Sequence, residues 1–134
     1  PQLDFKKYPV GEVSKIINDD IIIVVMLETP KAINNVEEIA SVPGIDVLLV
    51  GTNDLCMEMG IPGEFNHNDV KEAYKKVIQA CNNNNILPGM GGVYDETLMH
   101  EYIDLGMKFI LSGSDLSFLV KGAEDRLNNL KNKG

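Results

Sequence analysis

The chain has 134 residues and a formal net charge of −8, a length that suits one domain or part of a larger one. With 44% hydrophobic and 24% charged residues, it has the composition of a globular chain rather than a disordered one. Its acidic balance argues against nucleic acid and anionic membrane surfaces as partners, because phosphate would repel it.

The longest apolar run, Ile21 to Leu27, is far shorter than the roughly 20 residues that span a bilayer. No charged-then-apolar leader precedes it, and a cytoplasmic location is expected. The sequence opens at Pro1 without an initiator Met, so removal of an upstream segment is also expected. Cys56 and Cys81 are too few and too far apart for a disulfide framework or a zinc knuckle. They are expected to be reduced, buried thiols.

Taken in chain order, the pattern predicts a short helix over 10–18, entered after Pro9. Ile21 to Leu27 then reads as a strand whose unbroken apolarity implies cover on both faces. Thr29-Pro30 punctuates the chain, with Pro30 suited to a first helical position. Ala32, Ile33, Val36, Ile39 and Ala40 carry helical spacing over 31–40. A second buried strand is expected over 46–50, and a short helix over 53–59. Asn68 or Asp69 could cap a helix running to Cys81, with Val70, Ala73, Tyr74, Val77, Ile78 and Cys81 on one face. Asn82 to Asn85 suits a helix exit. A third strand follows over 86–90, then a helix over 96–105 closed by Gly106. A fourth strand is expected over 109–112. A last helix starts at Asp115 and frays from Lys131 to Gly134. Its stripe of Leu116, Leu119, Val120, Ala123 and Leu127 is either core or a partner-facing surface.

The order is therefore α followed by four βα units, which implies a parallel α/β sheet with right-handed crossovers. A complete (β/α)8 barrel needs eight such units, so this chain holds half. A doubly wound, flavodoxin-like sheet fits the length better and is the structural runner-up, although no phosphate loop is evident.

In parallel α/β folds the chemistry lies at the carboxyl ends of the strands. Glu28 and Asp54 each end a strongly apolar strand there. An acid in that place needs a cation or hydrogen-bond donors to offset its burial. Two such oxygen ligands suit Mg²⁺ or Mn²⁺, which keep several waters. The plain structural alternatives are a cap or an ion pair for Glu28 and an N-cap for Asp54. Gly51-Thr52-Asn53 offers successive backbone N–H groups that could hold a carboxylate or phosphate, or could be a tight turn only. Gly89-Met90-Gly91-Gly92 lacks the dinucleotide spacing. His67 is expected in a solvated loop and His100 on a helix surface, so neither is placed as a base. Ser112, Ser114 and Ser117 have no histidine in a triad relation. Met57, Met59, Met90 and Met99 read as core or pocket lining.

These motifs, taken in order, carry a resemblance. The runs Met26-Leu27-Glu28-Thr29-Pro30, Val36-Glu37-Glu38-Ile39-Ala40 and Val42-Pro43-Gly44-Ile45-Asp46-Val47 come first. Gly51-Thr52-Asn53-Asp54-Leu55, Met59-Gly60-Ile61-Pro62-Gly63, Pro88-Gly89-Met90 and Ser112-Gly113-Ser114-Asp115 follow. Together they resemble the HpcH/HpaI aldolases, metal-dependent pyruvate aldolases of the phosphoenolpyruvate/pyruvate TIM-barrel superfamily, from about Ile16 to Phe118. The resemblance implies that Glu28 and Asp54 bind a divalent metal, Mg²⁺ or Mn²⁺ with Co²⁺ a third candidate. It implies that Gly51, Thr52, Asn53 and Asp54 hold the carboxylate of a 2-oxo acid. The implied reaction is retro-aldol cleavage of a 4-hydroxy-2-oxo acid to pyruvate and an aldehyde. Thr52 departs from the family, where Pro is more frequent.

The resemblance reaches only the second half of the barrel, so residues 1–134 are expected to form one partial TIM-barrel domain. The family's base His and its keto-gripping Arg come from the first half, and the only Arg here, Arg126, stands in the final helix. No catalytic residue is therefore assigned within this chain. It is expected to associate, either with itself or with a missing barrel half; in full-length relatives the last helix packs on a neighbour. The alternative function is a non-catalytic half-barrel module that binds metal and an oxo acid.

Overall fold

The computed structural model describes residues 6–131. It contains α1 (Val10–Asp20), β1 (Val24–Leu27), α2 (Pro30–Asn34), α3 (Val36–Ala40), β2 (Val47–Gly51) and α4 (Thr52–Glu58). These are followed by α5 (Asn68–Asn84), β3 (Leu87–Gly91), α6 (Glu96–Leu105), β4 (Phe109–Ile110) and α7 (Asp115–Lys131). The expected order of one helix and four βα units holds. The fraying expected beyond Lys131 lies outside the described residues.

The strands form one parallel sheet in the order β1-β2-β3-β4. Strand order decides between the two architectures left open by the sequence. A doubly wound sheet reverses direction at a switch point and puts helices on both faces. Here each strand pairs with the next without reversal, which is the winding of a barrel.

One apolar cluster joins Leu27, Leu48, Val50 and Met90 of the sheet to Ile33, Val36, Leu55, Tyr74, Val77 and Tyr102 of the helices. The opposite face carries the alternate residues. Val24, Met26, Leu87 and Leu111 on this inner face are between 38% and 52% exposed. The expectation that β1 is covered on both faces is thus corrected. Its apolarity is real, but none of the described residues covers Val24 and Met26 on the inner face, and the strand is shorter than 21–27. Val47 and Leu49 also point inward yet are buried. Glycines on the neighbouring strand explain this. A Cβ at Gly89 would come within 3.0 Å of Val47 Cγ1, and one at Gly91 within 3.6 Å of Leu49 Cδ2.

Local chemistry sets the helix ends. Thr29 accepts from the Ala32 N–H at 3.1 Å with Pro30 at the first position of α2. The single helix expected over 31–40 is two, because Asn35 leaves helical geometry (φ −99°, ψ 14°). His67, expected in a solvated loop, is half-buried and caps α5. Its Nδ1 accepts from the Asp69 N–H at 3.2 Å, a role expected of Asn68 or Asp69. Asn85 ends that helix in the left-handed region. Asp95 caps α6 through the Leu98 N–H, and Gly106 closes it at φ +131°. α7 starts at Asp115 as expected, and its cap is Ser114. Ser114 and Ser117 exchange N–H to Oγ bonds of 2.9 and 3.3 Å. No residue of α7 is buried, so its apolar stripe is not core in this chain.

The one-sided core makes a stability prediction. Leu48→Ala, on the helix-covered face, should cost about 2–5 kcal/mol. Met26→Ala, on the open inner face, should cost less than about 1 kcal/mol. Urea unfolding of both variants checks this; equal losses would mean that the inner face is covered in solution.

Candidate functional site

The carboxyl ends of β1, β2 and β3 surround a cleft of about 170 Å³. It is lined by the turn from Gly51 to Asp54, by Gly91 at the end of β3, by Gly92 and Tyr94 after it, and by the inner-face side chains Met26, Leu49 and Leu111. Strand periodicity explains the arrangement. Val24 and Met26 point to the inner face, and so does the position two residues on, which is Glu28. Val47 and Leu49 lead in the same way to Gly51.

At Gly51 a side chain would collide with Glu28. A Cβ there would lie 2.7 Å from Glu28 Cγ and 2.9 Å from its Oε1. The glycine therefore leaves the space in which the glutamate side chain lies against the turn. Neither structural alternative for this residue is present: Thr29 makes the helix cap, and Glu28 forms no ion pair among the described residues. Asp54 sits in the first turn of α4 and is exposed. It does not cap that helix, which has no side-chain cap. It too has no ion-pair partner among the described residues. Two unpaired carboxylates thus flank one glycine turn. They are not part of any cluster of three or more His, Cys, Asp or Glu among the described residues. Protein oxygens alone would leave a divalent ion several positions for water and ligand, the habit of Mg²⁺ and Mn²⁺.

Asn53 is exposed and leans toward Gly92, where a Cβ would come within 2.8 Å of its Nδ2. Gly92 also has φ +86°, so both its conformation and its small size are needed. Thr52 is the one buried polar side chain among the described residues, with no exposed surface. Its Oγ1 lies 2.7 Å from the Tyr74 hydroxyl and 2.7 Å from the Gly91 carbonyl. Tyr74 stacks on Tyr102 at a centroid distance of 4.0 Å, and the Tyr102 hydroxyl donates to the Phe65 carbonyl. This polar network had no signature in the sequence, since its members are 22 and 39 residues apart.

The other candidates lie elsewhere. His67 caps α5, and His100 is exposed on α6; neither lines the cleft. Arg126 is exposed on α7. Met90 is core and Met59 and Met99 pack on it, whereas Met57 is exposed. Both cysteines are free and buried. Burial pushes the Cys56 thiol up, with Glu64 adding to the effect. Burial also lifts Cys81 to about 11, so these are packing groups rather than nucleophiles. Burial raises the Tyr74 hydroxyl to about 12, opposed in part by its bond to Thr52.

Tyr74 and Cys81 hold their protons more tightly folded than unfolded. Unfolding therefore releases protons, and stability falls as pH rises. The loss should run from pH 9.0 to about 11 for Cys81 and from 10.0 to about 12 for Tyr74. Chemical denaturation across this range should show the decline. Tyr74→Phe should make the decline above pH 10 shallower without abolishing it, because burial also raises the neighbouring Tyr102 hydroxyl; an unchanged slope in that variant would refute the assignment.

Among the described residues no helix is long and apolar enough to cross a membrane. The family model for HpcH/HpaI aldolase/citrate lyase matches residues 5–122. A protein from Chaetomium globosum named 4-hydroxy-4-methyl-2-oxoglutarate aldolase is 34% identical over 128 residues. The match takes in 93% of this chain and 48% of that one. A 4-hydroxy-2-oxo-heptane-1,7-dioate aldolase from Klebsiella pneumoniae is 34% identical over 107 residues, or 80% of this chain and 40% of the relative. Among solved structures, an HpcH/HpaI aldolase from Desulfitobacterium hafniense superposes with a TM-score of 0.78 at 27% identity. That superposition covers 98% of this chain and 51% of the other. The chain thus spans about half the length of the relatives it matches, and its four units correspond to half of their TIM barrel. On this agreement of family model, identity and fold, the chain belongs to the HpcH/HpaI aldolase/citrate lyase family.

Proposed function

We propose that this chain carries the metal- and oxo-acid-binding half of a divalent-metal-dependent aldolase that cleaves 4-hydroxy-2-oxo acids to pyruvate and an aldehyde. The observation that carries the reading is the packing of Glu28 against Gly51, on the turn that also presents Asp54. Glu28 and Asp54 would hold Mg²⁺, Mn²⁺ or Co²⁺. When bound, such an ion supplies Lewis acidity at the keto oxygen of the substrate.

The remaining work falls to the chain's own groups. The start of α4, from Gly51 to Asp54, offers backbone N–H donors to the substrate carboxylate. Gly91 and Gly92 keep the facing wall low, and Met26 and Leu49 give an apolar lining beside it. Cleavage breaks the C3–C4 bond. The 4-hydroxyl proton leaves as the aldehyde carbonyl forms, and a proton is delivered to C3 to give the methyl group of pyruvate. No His or Arg lines the cleft among the described residues. The group that moves these protons is therefore assigned to a complementary barrel half, which would also cover the exposed inner face. The same lack of a base supports one other reading, a module that binds metal and oxo acid without turnover.

Mn²⁺ titration followed by electron paramagnetic resonance tests the site. Asp54→Ala should weaken binding at least about tenfold, equal to 1.4 kcal/mol. Gly51→Ala should weaken it to a similar degree by displacing Glu28, with helix content retained. Unchanged affinity in both variants would overturn the site. A separate measurement concerns turnover. The chain alone should exchange the methyl protons of pyruvate only slowly in the presence of Mg²⁺ or Mn²⁺. Fast exchange would show that no outside base is needed.

A further inference from the structure

We propose that Tyr74 is a positioning residue, whose hydroxyl fixes the Gly51–Asp54 turn through Thr52. The inference rests on the cleft being an oxo-acid site, as proposed above.

The direction of the hydrogen bonds follows from proton counting. The Gly91 carbonyl can only accept, so it takes the single hydroxyl proton of Thr52 at 2.7 Å. Thr52 then has none left to give, and Tyr74 must donate to Thr52 Oγ1 across the second 2.7 Å contact. The relay runs from Tyr74 to Thr52 to Gly91. It ties α5, the first residue of α4 and the end of β3 into one unit. Both Thr52 and Gly91 line the cleft, whereas Tyr74 stands behind it. Tyr74 is itself held, by its stack on Tyr102 and by that residue's bond to the Phe65 carbonyl.

The consequence is local. Thr52 has no exposed surface, so water cannot replace a lost partner. Without the Tyr74 proton the Thr52 hydroxyl keeps one bond instead of two, and the turn gains freedom relative to Gly91 and Gly92. The carboxylate-binding amides and the Asp54 side chain are carried on that turn. A hydroxyl outside the cleft thereby sets the width and order of the cleft wall.

The test uses the 134-residue chain and four variants: Tyr74→Phe, Thr52→Val, Thr52→Ser and the double Thr52→Val/Tyr74→Phe. Pyruvate affinity of the Mn²⁺-loaded protein is read by water-proton relaxation. ¹⁵N order parameters are read at Asn53 and Asp54 without ligand. Tyr74→Phe and Thr52→Val should each weaken pyruvate binding about five- to tenfold, the effect of one buried hydrogen bond. Both should lower the order parameters of the turn while those of α5 stay unchanged. Thr52→Ser, which keeps the hydroxyl, should restore both values. The double variant should be no worse than Thr52→Val, because the two groups act in series. If Tyr74→Phe does not fold, the Val and Ser variants at Thr52 decide alone. The inference is overturned if Tyr74→Phe melts lower but keeps wild-type pyruvate affinity and turn order. A wild-type chain that binds neither Mn²⁺ nor pyruvate overturns the site reading instead, and the order parameters still decide the role of Tyr74.

Discussion

A parallel sheet needs cover on both faces, and the described residues supply cover on one. That constraint shapes most of what the structure shows. Helices α2 to α6 bury Leu48, Val50 and Met90 from one side. On the other, Val24, Met26, Leu87 and Leu111 remain open. Among the described residues the edge strands β1 and β4 each have one neighbour, which leaves ladder groups free to pair. The glycines of β3 soften the deficit by letting Val47 and Leu49 lie across them. They do so only at the centre of the sheet, and the rim stays apolar and exposed.

The open face ends in the cleft, and the two are connected by periodicity. Alternation along β1 takes Val24 and Met26 to the inner face and delivers Glu28 at the rim of that same face. The parallel register sets Leu27 beside Val50, so the residue after each meets its counterpart: Glu28 faces Gly51. Any larger residue at 51 would push the glutamate aside. The carboxylate therefore stands where it does because of sheet register, with no hydrogen bond of its own needed to hold it.

The βα order was legible because each unit is punctuated. Thr29-Pro30, Asn85 and Gly106 mark helix ends by chemistry local to a few residues. Strand pairing was not legible in the same way. The runs 21–27 and 47–50 are apolar throughout, so their sequence does not say which face is covered or whether the winding reverses. The break at Asn35 lies inside an unbroken helical pattern of apolar residues, and the pattern hides it. His67 stands in the loop as expected, but its capping role is hidden, because a capping imidazole looks like any polar loop residue. At the site, Glu28 and Asp54 could be placed at the rim from strand ends alone. Thr52 could be placed on the turn, but its burial and its bonds to Tyr74 and Gly91 depend on contacts between distant segments. No local spacing encodes them.

The cleft and the open face also share an energetic problem. Glu28 and Asp54 add two carboxylates to a chain of net charge −8, with no cation beside them among the described residues. Like charges brought close on one rim would disfavour each other, and water screens such charges only while the face is open. Covering the inner face would remove that water and strengthen the repulsion. A bound cation would reverse the sign of the effect. On the proposed reading, cation binding and closure of the barrel therefore favour each other. By linkage, whatever raises affinity for the ion in the closed state must also raise affinity between the halves. On that same reading a half-barrel would gain by keeping these carboxylates unpaired: an internal Lys or Arg partner would neutralise them in the open state and cancel that coupling.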